Sequence, residues 1–147
     1  MTIPDFQDGY LLFGIHETSL EEIRRKFGSN MIRQRLINGL ECALQNLQGA
    51  GVRRVYINGS FVTRKAHPKD IDGCWDADEQ VREDRLDPVF LDFKDSRRAM
   101  REKYGVDFFV SQTIEANSGV PFVQFFQQDR DGRPKGILLI NLEGSHG

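Results

Sequence analysis

The 147-residue sequence predicts one α/β (α+β) domain, a single mixed sheet with flanking helices, and three observations predict it. An apolar stripe at three- and four-residue spacing runs through residues 29–51. Four short segments rich in β-branched and aromatic residues come after it. Further helix-forming stretches separate those segments, so helices and strands alternate along the chain.

Residues 1–17 show no clear period and are read as an N-terminal arm or cover on a domain spanning 18–147. "TSLEEIRRKFG" opens with a capping box, in which Thr18 accepts from the amide of Glu21 and Glu21 reaches back, and its short helix stops at Gly28. In "SNMIRQRLINGLECALQNLQGAG", Ile32, Leu36, Leu40, Ala43 and Leu47 place one apolar stripe on a long helix that Gly49 or Gly51 ends. "RRVYIN" reads as a strand with Val55 and Ile57 on one face. "DIDGCWD" is the next, with Asp70, Asp72 and Cys74 on one face and Ile71, Gly73 and Trp75 on the other. "ADEQVREDRLDP" is polar enough for a surface excursion and mobile loop. "SRRAMREKYG" reads as a basic helix capped by Ser96 and stopped by Gly105. "VDFFV" is a third strand, "PFVQFFQQ" a short helix with Pro121 at its first position, and "GILLINL" a last apolar strand.

The formal charge is −2, with 29% charged and 39% hydrophobic residues, an ordinary composition for one compact domain. No global basic excess points to nucleic acid, so any anion site is local. Cys42 and Cys74 are too few for a disulfide framework or a zinc site, and a reducing cytoplasm is the expected setting. "YLLFGI" has neither the basic flank nor the length of a signal or membrane segment, so no membrane association is expected.

Chemistry concentrates between residues 58 and 76. Two aspartates in alternate positions of a strand point the same way, and carboxylates about 4 Å apart repel by roughly 4 kcal/mol at an effective dielectric near 20. A divalent cation offsets that repulsion, and oxygen-only ligands suit Mg²⁺. A third carboxylate permits two ions. Asp107 is the best candidate, because Val106, Phe108 and Val110 claim the opposite face of their strand and leave Asp107 with Phe109. Gly59 leaves the backbone open to a phosphate, Ser60 offers a hydroxyl, the amides after them open a short helix, and Arg64 and Lys65 add positive charge. A solvent-facing strand edge is the alternative for the aspartate pair.

Gly59-Ser60, nine intervening residues with Pro68 near the end, then Asp70-Ile71-Asp72 and a later strand aspartate resemble the DNA polymerase β-like nucleotidyltransferase superfamily, above all its minimal stand-alone members. More narrowly, "GIHETSLEEI", "GSFVT" and "FFQQDRDGRPKGI" resemble a bacterial group of small nucleotidyltransferase-like proteins along nearly the whole chain. The resemblance implies a minimal nucleotidyltransferase fold, with Gly59 and Ser60 on the triphosphate. It also implies that Asp70, Asp72 and Asp107 are both catalytic and metal-ligating, on two Mg²⁺ ions that Mn²⁺ can replace. Three positions differ from the minimal members. Thr63-Arg64-Lys65 follows Gly-Ser where Arg-Gly is usual, Lys69 precedes the first aspartate, and Gly73 stands where an apolar residue is common.

Other polar features have plainer readings. His67 is expected in an exposed loop. "DRDGRPKG" is expected as a tight turn, since no glutamate closes it at the twelfth position of a calcium loop. Arg133 and Lys135 are read as part of that surface turn, with reach to a triphosphate as the alternative. Arg97, Arg98 and Arg101 are read as a solvated helix face, and Cys74 as a small buried hydrophobe rather than a nucleophile.

The expected function is metal-dependent transfer of a nucleoside monophosphate from a nucleoside triphosphate such as ATP to a hydroxyl of RNA or protein. A toxin-antitoxin or phage-defence setting, with a cognate toxin or antitoxin as partner, follows from family analogy alone. Two alternatives stand beside it: a catalytically inactive binding or antitoxin module on the same fold, and a two-metal nuclease.

Overall fold

The computed structural model describes residues 3, 6–7, 10–63 and 65–143, with the side chains of residues 6, 7, 10, 59 and 60 left aside. A two-stranded antiparallel pair, β1 (Phe6–Gln7) and β2 (Tyr10–Leu11), precedes a five-stranded sheet. That sheet contains β3 (Gly14–Thr18), β4 (Arg54–Asn58), β5 (Ile71–Trp75), β6 (Val106–Val110) and β7 (Gly136–Asn141), in the order β3-β7-β4-β5-β6. The outer pairs, β3/β7 and β5/β6, are parallel, and the two pairs that involve β4 are antiparallel. The fold is therefore α+β on a mixed sheet, as the sequence predicts.

Among the described residues four α-helices accompany the sheet: α1 (Leu20–Phe27), α2 (Met31–Gly49), α3 (Lys94–Tyr104) and the single turn α4 (Phe122–Phe125). No helix among the described residues is long and apolar enough to cross a membrane. Val55, Ile57, Ile71, Trp75, Val106, Phe108, Leu138 and Ile140 join the main core with Ile23, Phe27, Ile37, Leu40, Ala43, Leu47 and Met100 of the three longer helices. The alternating residues turn the other way. Tyr56, Cys74 and Ile137 form a smaller cluster with Phe126, and Phe109, Phe122, Phe125 and Leu139 pack against it. The aspartates lie on this second face, beyond the aromatic cluster, and are half-buried.

Several local expectations shift by one position. Residues 14–18, assigned to an arm and a helix start, form the edge strand β3 instead, parallel to β7; only long-range pairing could turn a stretch with no internal period into a strand. Ser19 rather than Thr18 caps α1, accepting from the amide of Glu22, while the Thr18 hydroxyl donates to the Glu22 carboxylate at 3.2 Å. The buried stripe of α2 runs through Arg33, Ile37, Leu40, Ala43, Leu44 and Leu47, and Ile32 is exposed. Pro121 caps α4 from outside instead of opening it. Gly51, at φ 96°, and Gly105, at φ 71°, follow α2 and α3 in the left-handed conformation that ends helices.

Two glycines of α2 stand in opposite surroundings. A Cβ on Gly39 would overlap the Tyr104 carbonyl oxygen at the crossing with α3, whereas a Cβ on Gly49 would meet nothing within 4 Å. Gly49→Ala is expected to stabilise the fold by about 0.4–1 kcal/mol, and Gly39→Ala to destabilise it by roughly 1–3 kcal/mol despite the better helix propensity of alanine. Urea unfolding of the two variants checks both signs.

Candidate functional site

Strand β4 ends at Asn58, and the chain turns at once into a single 3₁₀ turn, Gly59–Val62. Phe61 and Val62 are buried and anchor that turn in the core. A charged residue of α2 sets its path. Arg33 is 3% exposed, and its guanidinium donates to the carbonyls of Phe61 (2.8 Å), Thr63 (2.8 Å), Lys65 (3.1 Å) and Phe27 (3.3 Å). The same group lies 5.1 Å from the centre of the Phe61 ring. Burial lowers the Arg33 pKa from its ordinary value. The four carbonyls supply the hydrogen bonds that make a desolvated cation tolerable here. Asn30 caps α2 through its oxygen and donates through its nitrogen to the Ala66 carbonyl at 2.7 Å. The start of α2 thus holds the backbone that joins the Gly-Ser turn to the first aspartate.

The aspartates converge through strand register. In the antiparallel pair Asn58 lies opposite Asp72, and in the parallel pair Asp72 lies opposite Asp107, so the three residues form one row across the same face. Asp70 precedes β5 by one residue. One carboxylate oxygen each from Asp70, Asp72 and Asp107 lies within 4.8 Å of the others, and all three residues are half-buried. Like charges at that spacing repel by roughly 3–4 kcal/mol per pair at an effective dielectric near 20. Burial, and next the charges of Asp70 and Asp107, push the Asp72 carboxyl up to about 7. Burial, followed by the charge of Asp107, raises Asp70 as well.

Three cationic side chains act on this cluster. Arg97 forks both oxygens of Asp107, with Nε on Oδ1 and Nη2 3.2 Å from Oδ2, and its guanidinium lies 4.6 Å from the centre of the Phe109 ring. Burial draws the Lys135 pKa down while the charges of Asp72 and then Asp129 hold it up. At Asp70 the charge of Arg101 and then that of Arg97 oppose the rise. Residues 127–135 double back, and Lys135 comes within electrostatic range of Asp72. Asp129 accepts from the amides of Asp131 and Arg133, Gly132 takes φ 78°, and the Lys135 amide donates to the Gln127 carbonyl. "DRDGRPKG" is a tight turn, as its sequence predicts, and its last cation, Lys135, is half-buried and within electrostatic range of Asp72.

Arg97 comes from an interrupted helix. Asp95, Ser96 and Arg97 take φ 49°, 55° and 61°, three consecutive non-glycine residues in the left-handed region. Each such residue costs roughly 1–2 kcal/mol. Arg101 braces the turn by donating to the carbonyls of Ser96 (3.0 Å) and Asp95 (3.4 Å). Ser96 therefore does not cap α3, and Arg97 and Arg101 do not form the solvated face expected of them; Arg98 does, paired with Glu102 at 2.7 Å on the exposed side. The only sequence signal for this was the cluster of arginines shortly before the third aspartate.

The remaining expected site residues divide. Gly59 and Ser60 open the turn beside Asp72, but the Ser60 side chain and the whole of Arg64 lie outside the described residues. Lys65 is exposed, and its carbonyl is engaged by Arg33. His67 is exposed. Cys74 is buried, and burial pushes its thiol up to about 12, in keeping with a small buried hydrophobe. Gly73 has a steric cause: a Cβ there would overlap the Tyr56 carbonyl oxygen and crowd the Phe108 ring.

The donor set fits a hard divalent cation. The three converging side chains offer only oxygen, and Asn58 Oδ1, next in the row, is a buried acceptor without a hydrogen-bond partner. The chain belongs to a family of unknown function, DUF6932, whose family model matches residues 4–141. No curated protein and no solved structure matches it.

Two tests follow from these environments. Arg33→Met, which keeps the length but strands four carbonyls, is expected to destabilise the fold by roughly 3 kcal/mol or more, read by urea unfolding. For Asp72, the folded carboxyl titrates near 7 against an ordinary 3.8. Below the lower value both states are protonated and the folded state suffers no penalty; as pH rises towards 7 the unfolded state ionises first, and stability falls. Without divalent cations, Asp72→Asn is therefore expected to raise Tm at pH 8 and to leave it nearly unchanged at pH 4, as measured by calorimetry.

Proposed function

We propose that this protein is a metal-dependent nucleotidyltransferase, which moves a nucleoside monophosphate from a nucleoside triphosphate to a hydroxyl of RNA or protein. The observation that carries the reading is the convergence of Asp70, Asp72 and Asp107 oxygens within 4.8 Å beside the Gly59–Val62 turn. Asp70, Asp72 and Asp107 would hold two Mg²⁺ or Mn²⁺ ions, which when bound polarise the α-phosphate and lower the acceptor's pKa.

The chain's own groups have separate tasks. Gly59 and the amides that open the turn bring uncluttered backbone to the β and γ phosphates, with Ser60 as a hydroxyl donor. Arg33 keeps that backbone in place from beneath. Lys135, whose charge is felt at Asp72, adds positive charge where a triphosphate brings negative charge. In the reaction the acceptor oxygen bonds to the α-phosphorus, the bond from that phosphorus to the bridging oxygen breaks, pyrophosphate departs, and the acceptor proton passes to solvent. Cys74 is too buried to take part and no other nucleophilic side chain lies in the row, so catalysis rests on positioning and charge. A toxin-antitoxin or phage-defence role, with a cognate protein partner, remains part of the proposal by family analogy.

One observation favours a second reading, an inactive binding module on the same fold. Arg97 already neutralises Asp107. Labelled transfer separates the two. Purified protein is incubated with each of the four labelled triphosphates, Mg²⁺ and cell extract, and label is expected in RNA or protein. Asp70→Asn and Asp72→Asn are expected to reduce transfer roughly 100-fold or more. Asp107→Ala is expected to lose transfer but to keep much of its Mg²⁺-dependent triphosphate binding. Triphosphate binding with no transfer in any combination would favour the module, and cutting of single-stranded RNA without triphosphate would favour a nuclease.

A further inference from the structure

The Arg97 side chain is placed in a way that a solvated helix face does not require. Its planar fork takes both oxygens of Asp107, so each already carries a charged donor where a cation shared with Asp72 across the β5/β6 pair would bind. The guanidinium rests on the Phe109 ring, two residues along the same strand face, and the pair is well shielded, with the Arg97 and Asp107 side chains 25% and 14% exposed. Its backbone is unusual as well. Three successive left-handed residues interrupt α3 immediately before Arg98, and the Arg101 guanidinium holds two of their carbonyls. Strain of this kind persists only where surrounding contacts impose it, and it is concentrated at ligand clamps and switch regions. Relaxing the turn to right-handed geometry would extend α3 towards its N-terminus and reposition the base of the Arg97 side chain.

We propose that Arg97 is a latch on the third carboxylate: it holds Asp107 while the site is free of substrate, keeps the second divalent cation out, and transfers its fork to a substrate phosphate when a triphosphate arrives. This assignment deepens the nucleotidyltransferase reading and rests on the metal site proposed there. It makes the second cation dependent on substrate. A phosphate suits the departing fork, because its paired oxygens repeat the bidentate geometry of the carboxylate. The exchange also keeps the charge count sensible. Arg97 offsets the repulsion among the carboxylates before substrate binds, and the second ion takes over that role when Arg97 moves to the incoming anion.

Mn²⁺ binding, followed by the loss of the free-ion electron paramagnetic resonance signal, tests the latch without relying on turnover. Wild-type protein without nucleotide is expected to bind one Mn²⁺ per chain, and a second only when a non-hydrolysable triphosphate is added. Arg97→Ala is expected to bind the second ion without nucleotide, at least tenfold more tightly than wild type, and to bind the triphosphate at least tenfold more weakly. Arg97→Lys keeps the charge but loses the fork, so it separates a latch from a simple field effect: under the latch it also admits the second ion severalfold more tightly than wild type. Two ions on the wild type without nucleotide, or ion binding in Arg97→Ala or Arg97→Lys equal to that of wild type, overturns the latch. Asp72→Asn, measured beside them, identifies which idea has failed. If it loses Mn²⁺ while the Arg97 variants match wild type, the latch alone falls; if no protein in the set binds Mn²⁺, the metal site falls with it. Label transfer bears only on the nucleotidyltransferase reading, because the ion counts stand with or without it.

Discussion

The parallel pairing of β5 with β6, which sets Asp72 against Asp107, imposes the constraint around which the open face of the sheet is organised. Paired strands bring facing residues close, so the sheet forces carboxylates together that would separate in water. With Asp70 contributing a third, the cluster carries a repulsion comparable to a sizeable part of a small domain's net stability. Its surroundings answer that charge. Arg97 and Arg101 of α3 and Lys135 of a distant turn act on it, and the protein tolerates a left-handed turn to bring the first of them into contact with Asp107.

A second buried charge works on the opposite side of the Gly-Ser turn. Among the described residues Arg33 has no carboxylate as a hydrogen-bond partner; it is neutralised in effect by carbonyl dipoles, four of which it gathers from Phe27 and from the segment 61–65. The consequence is a rigid support for a backbone that has little regular structure of its own. Asn30 completes it at Ala66. One arginine thus holds the turn and another pairs with the third carboxylate. Neither is a surface charge.

The two faces of the sheet divide labour for a simple reason of periodicity. Ile71, Gly73 and Trp75 pack under the helices, and their neighbours Asp72 and Cys74 are sent to the other side. There the aromatic residues around α4 cover one end: Phe109 and Phe122 stack at 4.0 Å with nearly parallel rings, and Phe125 and Phe126 close around them. That covered end shields Cys74, while the other end leaves the carboxylates half-buried, where charge is costly enough to matter and still accessible to ligands.

The sequence by itself determined the mixed sheet, four of its strands, the long helix and the shared face of Asp70 and Asp72, because these depend on periodicity and on residue types that act over a few positions. It also marked Asp107, since Val106 and Phe108 claim the other face of that strand. Tertiary structure alone decided the rest. Strand β3 is a strand through its partner β7, and no alternation in residues 14–18 announces it. The register that places Asp107 beside Asp72 is a long-range pairing, with no local trace in either strand. Arg33 and Ile37, not Ile32, face the core, because the arginine found carbonyls to satisfy it, and no sequence period records a partner thirty residues away. Lys135 and Arg97 looked like surface cations for the same physical reason. Their charge is visible in the sequence, but the carboxylates that draw them inward are assembled only when the sheet closes.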